Sequence, residues 1–301
     1  MAPKLGVSTA SFSAAFPELW KDPPRSVRRL LNPNLELLAA QKAARKLSLS
    51  GIELAYRRGV RTSLIDCPLL TVHGPMFTGP KSGLEQARTA RSLVFKGLGL
   101  LTLLLFGWDF QRTDMIAGTF AALHVVHAKT VAKLHERRDN SLLLPHLRRS
   151  AWLIEPDWVE WEEGRPPKHG FWRPEEVIPL AKTFGTGILL DTSHSQIMGL
   201  GLREVLEVYG DQVKALHLCG AVAGQIEDGG LALYPEAATE ANRDAYRRSL
   251  GEIGELLQTI RGSGLPLIIE LAFTARRMGP WEGVARSVEF VRDSLEKIGQ
   301  V

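Results

Sequence analysis

Short apolar runs that each end on a metal-ligand residue type are the feature that most constrains the fold of this chain. A buried strand of a parallel sheet reads as a nearly continuous apolar run, and in closed sheets of such strands the catalytic groups sit at the carboxyl ends. Six runs share this pattern: Leu70–His73, Leu123–His127, Ala151–Glu155, Gly187–Asp191, Val213–His217 and Pro266–Glu270. Packing alone does not explain why these strands stop on His, Glu or Asp, so the pattern indicates a functional site.

The terminal side chains of these runs need a partner. A carboxylate or imidazole at the end of a hydrophobic strand costs desolvation free energy unless a neighbouring group compensates it. A divalent cation shared among several such groups is an economical partner, because carboxylate oxygens are preferred ligands of such ions. The pattern therefore predicts a metalloenzyme.

Strand-like runs alternate with helix-like segments, which predicts βα units and a parallel sheet. We expect eight strands, at Lys4–Thr9, Gly51–Ala55, Leu70–His73, Ala121–His127, Ala151–Glu155, Gly187–Asp191, Val213–Leu218 and Pro266–Glu270. We expect helices at Leu35–Leu47, Gly83 to about Phe106, Pro174–Phe184, Leu202–Tyr209, Glu240–Arg261 and Trp281–Ile298. Barrels of eight βα units use about 250 residues in one domain. We therefore predict an α/β chain with a single (β/α)8 TIM barrel over residues 1–301.

Composition narrows the classes of partner. The formal net charge of +4 arises from 37 Lys and Arg against 33 Asp and Glu, which is compatible with a phosphate-bearing ligand and does not require nucleic acid. The two cysteines, Cys67 and Cys219, imply no disulfide framework and favour a reducing, cytoplasmic compartment.

The most hydrophobic stretch, Leu98–Trp108, falls short of the roughly 20 residues that span a bilayer, and the chain start lacks the apolar core of a signal peptide. We expect no membrane partner, and the sequence does not indicate an oligomeric state.

Four of the strand ends supply three carboxylates and one imidazole, on Glu155, Asp191, His217 and Glu270. This oxygen-rich set suits Mn, Zn, Co, Mg or Fe, and the imidazole disfavours a site for Mg or Ca alone. A mononuclear centre of this kind can polarise a carbonyl and a hydroxyl of a sugar while a carboxylate moves the adjacent proton. The set is thus sufficient for isomerisation.

The chain also offers His73, His127 and His194, which is more nitrogen than one ion needs. These side chains could hold a second ion that shares Glu155, and two neighbouring ions are a recurrent device for hydrolysing phosphate esters. His124 lies on the same predicted strand as His127, and strand alternation points the two to opposite faces. We choose His127 as the inward residue because it ends the run.

This set of residues on eight βα units resembles the xylose isomerase-like TIM-barrel superfamily. That group contains sugar isomerases and epimerases as well as the endonuclease IV family of abasic-site DNA repair enzymes (AP endonuclease family 2). The resemblance to the sugar enzymes implies three roles: metal binding by Glu155, Asp191, His217 and Glu270, acid/base action by Glu155 and Glu270, and substrate contact by His194. One departure is Ala223, where the sugar enzymes typically carry an arginine, so the resemblance by itself does not imply their usual sugar-binding mode.

Similarity to the endonuclease IV family covers more of the histidines and fewer of the later motifs. His73, His127 and the stretch Asp191–His194 match its ligands. Cys219–Ala221 and Glu227–Gly230 replace its later Asp-Ser-Lys and Asp-Arg-His motifs, and Met76 replaces its DNA-inserting tyrosine. A complete trinuclear site is therefore not expected.

Three hypotheses of function follow. The leading one is an isomerase or epimerase that uses one or more divalent ions and acts on a small carbohydrate or its phosphate. The second is a di- or trinuclear phosphodiester hydrolase, and only this one requires a nucleic-acid partner, abasic DNA. The third is a metal-stabilised binding protein without catalysis, since fold and ligands do not establish turnover.

Overall fold

A computed structural model describes residues 3–12, 33–74, 108–128, 130–132, 151–157, 173–223, 225, 229–271 and 279–297. Eight parallel strands form a closed barrel, in which each strand pairs with the next along the chain and the last pairs with the first. The strands are β1 (Lys4–Ser8), β2 (Gly51–Ala55), β3 (Leu69–His73), β4 (Leu123–His127), β5 (Trp152–Glu155), β6 (Gly187–Asp191), β7 (Val213–Leu218) and β8 (Pro266–Ile269). This architecture confirms the predicted (β/α)8 barrel. The extent of a single domain over residues 1–301 stays a prediction.

Helices follow most of the strands, as the alternation predicts, whereas β2 and β3 are joined by a segment whose only described helical turn is the 3-10 turn Thr62–Leu64. The helices with complete bounds are α1 (Pro33–Lys46), α2 (Pro174–Phe184), α3 (Thr192–Ile197), α4 (Leu202–Tyr209), α5 (Arg243–Thr259) and α6 (Pro280–Glu296). Helix α2 illustrates the local signals, because Pro174 occupies its first turn and Gly185 ends it in the left-handed conformation. A further helical stretch covers residues 108–119. The helix predicted from Gly83 lies outside the described residues.

The core has two parts, one on each side of the barrel wall. Outward-facing strand residues pack against the helices, and α5 and α6 contribute apolar side chains such as Ile253 and Val288 to this layer. A separate inner cluster contains Val125, Leu153, Leu189 and Ala215. Because side chains alternate along a strand, the residue two positions further along each of these strands also faces inward. Those residues are His127, Glu155, Asp191 and His217, so a polar layer lies directly above the inner apolar cluster.

No described helix is long and apolar enough to cross a membrane.

Candidate metal centre

Strands β5 to β8 bring four predicted ligands to one rim of the barrel. The backbone register pairs Asp191 with His217, and Glu270 follows the last residue of β8. One donor atom from each of Glu155, Asp191, His217 and Glu270 can be chosen so that all four lie within 4.8 Å of one another. This spacing is compact enough for a single ion to touch all four side chains.

His217 lies at the centre of this group. Its Nδ1 is 2.7 Å from Glu270 Oε2, 3.3 Å from Glu155 Oε1 and 3.7 Å from Asp191 Oδ2. The ring is fully buried, and its Nδ1 forms no hydrogen bond with a described residue, although Glu270 is close. A nitrogen that faces three carboxylates without bonding to any of them fits a metal ligand, because an ion among these atoms would satisfy all of them.

A second donor group adjoins the first and shares Glu155. It consists of His73, His127 and Glu155, again with donor atoms within 4.8 Å of one another. Nε2 of His73 lies 2.6 Å from Glu155 Oε2, and Nδ1 of His127 lies 3.7 Å from the same oxygen. Neither ring nitrogen of the buried His127 forms a hydrogen bond with a described residue. The structure therefore brings together six of the seven residues predicted as ligands, in two overlapping groups.

The seventh, His194, is placed by the start of α3. Asp191 caps this helix, because its Oδ1 accepts hydrogen bonds from the backbone N–H of His194 at 2.8 Å and the Ser193 hydroxyl at 3.0 Å. The cap leaves Oδ2 as the oxygen that approaches His217. His194 Nδ1 donates to the Pro156 carbonyl at 3.0 Å and lies 3.6 Å from Glu155 Oε1. His194 thus stands beside the four-residue group.

The two histidines of β4 point to opposite sides, as predicted. His127 faces the barrel interior, whereas His124 is buried on the outer side, where its Nε2 lies 3.1 Å from the Thr113 hydroxyl. Its Nδ1 lies 3.6 Å from Asp114, and its ring packs against Phe110. His124 therefore belongs to the layer between the strand and the helix.

The charges of the centre stabilise one another. Burial raises the pKa of Glu155, but the positive charges of His127, His73 and His217 lower it well below its usual value. Burial also lowers the pKa of His217, which the charges of Glu53, Glu270 and Glu155 raise well above its usual value. Glu155 is therefore held ionised, the form in which a carboxylate binds a metal. An ion bound here would replace imidazole protons as the balancing positive charge.

No protein-family model and no curated protein matches the sequence. Solved structures do match over nearly the whole chain. The 3-keto-D-glucoside 4-epimerase of E. coli is 13% identical, with a TM-score of 0.53, and the match covers 97% of this chain and 99% of that one. The D-allulose 3-epimerase of Methylomonas sp., in complex with D-allulose, is 11% identical with a TM-score of 0.53 and 97% coverage of both chains. The probable 3-DHS dehydratase AsbF of Bacillus anthracis is 12% identical with a TM-score of 0.52, over 95% of this chain and 97% of its own.

This chain has the fold of these two epimerases and of the dehydratase, a closed barrel of eight parallel strands. The resemblance drawn from the strand-end residues is thereby confirmed at the level of fold. At these identities the likeness carries no residue roles, so the assignment of ligands in this barrel rests on its own geometry.

Sequence reasoning missed one member of the polar layer, Glu53 on β2. Its side chain is fully buried, and its Oε2 lies 2.8 Å from His217 Nε2 and accepts a hydrogen bond from the Thr71 hydroxyl, also at 2.8 Å. The available signal was a charged residue inside an otherwise apolar strand. Asp157, two residues past β5, was missed as well, and its Oδ1 lies 3.3 Å from His127 Nδ1.

Arg58 and Cys219 have ordinary structural contacts. Arg58, after β2, forms an ion pair with Asp109 at 2.7 Å. Cys219 is a free, buried thiol whose Sγ lies 3.9 Å from both carboxylate oxygens of Asp191. Met76 and Glu227–Gly230, which bear on the endonuclease comparison, lie wholly or partly outside the described residues.

Proposed function

We propose that this protein is a divalent-metal-dependent isomerase or epimerase that moves a proton at a carbon next to a carbonyl group of a small carbohydrate or sugar phosphate. The observation that carries the proposal is the convergence of Glu155, Asp191, His217 and Glu270 within 4.8 Å at one rim of the barrel. The epimerases among the proteins of the same fold act on sugars, which supports this substrate class.

These four side chains would hold Mn, Zn, Co, Mg or Fe. Bound there, the ion supplies Lewis acidity toward carbonyl and hydroxyl oxygens. Glu270 is the accessible member of the set, because its side chain is 24% exposed, against 2% for Glu155 and 3% for Asp191. We assign proton abstraction to Glu270, the opposing acid/base role to Glu155, and orientation of the substrate to His194.

Proton transfer can be tested without knowing the natural substrate. Purified protein is loaded with each metal and incubated in D2O with D-allulose, L-ribulose or a 3-keto-glucoside, and NMR follows hydrogen exchange and epimer formation. We expect metal-dependent exchange at one carbon and its loss with chelator.

Replacing Glu270 with Gln should lower kcat/KM by about 10²-fold or more, because general-base catalysis contributes that much. The exposed Glu252→Gln on α5 serves as the matched control and should retain activity. Metal-loaded protein that exchanges no substrate hydrogen over a broad ketose and ketose-phosphate panel contradicts the proposal.

The second donor group favours one alternative, a dinuclear phosphodiester hydrolase. His73 and His127 form a group with Glu155, which also belongs to the first group. Neither ring nitrogen of His127 has a hydrogen bond with a described residue, so this side chain could bind a second ion. Elemental analysis bears on the choice, because a count of one ion per chain would exclude the hydrolase, which needs two or more. With two or more bound ions, His127→Gln should remove one ion, whereas the matched His124→Gln on the other face of β4 should remove none. Cleavage of an abasic duplex by the metal-loaded protein would then establish the hydrolase, and intact DNA would exclude it.

A further inference from the structure

Glu53 occupies a position that the metal ligands do not explain. It lies in the middle of β2, with 0% of its surface exposed, and reaches across the barrel to His217 on β7. It belongs to neither of the two donor groups. Its other oxygen, Oε1, forms no hydrogen bond with a described residue. A buried carboxylate in an apolar strand is costly, and its described polar partners are His217 and the Thr71 hydroxyl.

The contact determines which nitrogen of His217 can bind a metal. A neutral imidazole carries one N–H, and the nitrogen that donates a hydrogen bond cannot also serve as a ligand. An ionised Glu53 only accepts hydrogen bonds, so it selects the tautomer protonated at Nε2. The lone pair is then on Nδ1, the atom that faces Glu155, Asp191 and Glu270.

The neighbouring histidines are oriented in the opposite sense. Nδ1 of His73 lies 3.1 Å from the Gly74 carbonyl oxygen, and Nδ1 of His194 lies 3.0 Å from the Pro156 carbonyl oxygen. Carbonyl oxygens only accept, so Nδ1 carries a proton in both rings, and His73 also donates from Nε2 to Glu155 Oε2 at 2.6 Å. His217 instead presents Nδ1 to the carboxylates and is held by a side-chain carboxylate. A charged acceptor makes the ligand nitrogen more basic than a neutral carbonyl does.

We infer that Glu53 is a positioning residue that fixes the tautomer and ring plane of His217, with Thr71 holding Glu53 in place. The inference rests on the proposed metal centre and adds a carboxylate–histidine–metal arrangement to it. It applies to both candidate reactions, because each uses His217 as a ligand.

Metal affinity, measured by competition with a chromophoric chelator, tests the inference independently of activity. Zn²⁺ is titrated into the metal-free protein and its Glu53→Gln, Glu53→Ala and Thr71→Val variants. Groups that hold a metal-binding histidine in this way typically contribute about 10- to 100-fold in metal affinity. We expect a loss in that range for Glu53→Ala and smaller losses for Glu53→Gln, whose carbonyl still accepts, and for Thr71→Val. The matched control is Glu36→Gln, a buried carboxylate on α1 that pairs with Arg57 and should leave the affinity unchanged.

Cobalt substitution supplies a measurement that would not change if Glu53 only stabilised the fold. The visible absorption of bound Co²⁺ reports the geometry of its ligands, and we expect it to change in Glu53→Ala and to match wild type in Glu36→Gln. If Glu53→Ala fails to fold, Glu53→Gln and Thr71→Val carry the same comparison. Variants at Glu53 and Thr71 that bind Zn²⁺ as tightly as wild type and give its Co²⁺ spectrum overturn the positioning role alone. Wild-type protein that binds neither ion overturns the metal centre and this inference together.

Discussion

At the scale of single residues, Gly220 shows how closely the segment after β7 packs over the rim. Its backbone exchanges two hydrogen bonds with Leu231, at 2.7 and 2.8 Å. A Cβ at this position would overlap the hydroxyl and ring of Tyr246. That tyrosine is fully buried, and its hydroxyl donates to the Ala232 carbonyl at 2.8 Å. The position therefore requires a residue without a side chain.

We expect Gly220→Ala to lower the free energy of unfolding by about 1–3 kcal/mol, the usual cost of forcing an extra group into a packed interior. Gly251 is the matched control, because it lies inside α5 and a Cβ there would meet no described atom within 4 Å. Gly251→Ala should stabilise the protein by about 0.5–1 kcal/mol, since alanine is the better helix former. Urea unfolding followed by circular dichroism measures both. Equal effects of the two substitutions would contradict the packing argument.

The residues of the centre differ in how far the sequence could predict them. Glu155, Asp191 and His217 end apolar runs, and parallel strands bring their carboxyl ends to one rim, so local pattern and fold class together indicate that they converge. Glu53 ends no such run, and its partner lies 164 residues away in the sequence. No local pattern links two such positions, because their contact exists only once the barrel closes.

At the scale of elements, the strands were predictable because burial on both faces requires apolar runs, and seven of the eight observed strands lie within one residue of the predicted bounds at each end. The start of β4 was set two residues too early, since Ala121 has a positive φ of 51° and ends the turn before the strand. The helix predicted from Glu240 begins with a 3-10 turn, Glu240–Asn242, before α5 starts at Arg243. Such ends depend on hydrogen bonds to neighbouring segments that periodicity does not report.

Strand β7 supplies a prediction at this scale, because two of its outward-facing residues meet different surroundings. Leu216 is fully buried under the helices, whereas Lys214, two residues earlier on the same face, is exposed. We expect Leu216→Ala to destabilise the protein by about 2–5 kcal/mol through the lost burial and the cavity left behind. Lys214→Ala should change the free energy of unfolding by no more than about 0.5 kcal/mol. Chemical denaturation of both variants measures the difference, and a small effect of Leu216→Ala would show that this part of the wall is loosely packed.

For the whole molecule, closure of the barrel is what assembles the centre. The β1–β8 pairing completes the ring, and His217 then contacts side chains from β2, β5, β6 and the end of β8. In the unfolded chain these side chains are far apart, so an ion binds the folded form much more tightly than the unfolded one. Metal binding and global stability should therefore be linked.

At a free metal concentration of 100 times the dissociation constant, we expect the ion to stabilise the folded protein by about 2.7 kcal/mol. For a chain of 301 residues that corresponds to a rise in Tm of roughly 4 °C. Scanning calorimetry with and without added Zn²⁺ or Mn²⁺ measures the shift, and a chelator should reverse it. Asp191→Asn should lose most of the shift because it removes a ligand charge, whereas Glu36→Gln should keep it. A metal-induced rise in Tm that survives Asp191→Asn undiminished would place the ion elsewhere on the protein, because binding at the rim cannot remain equally strong without that carboxylate.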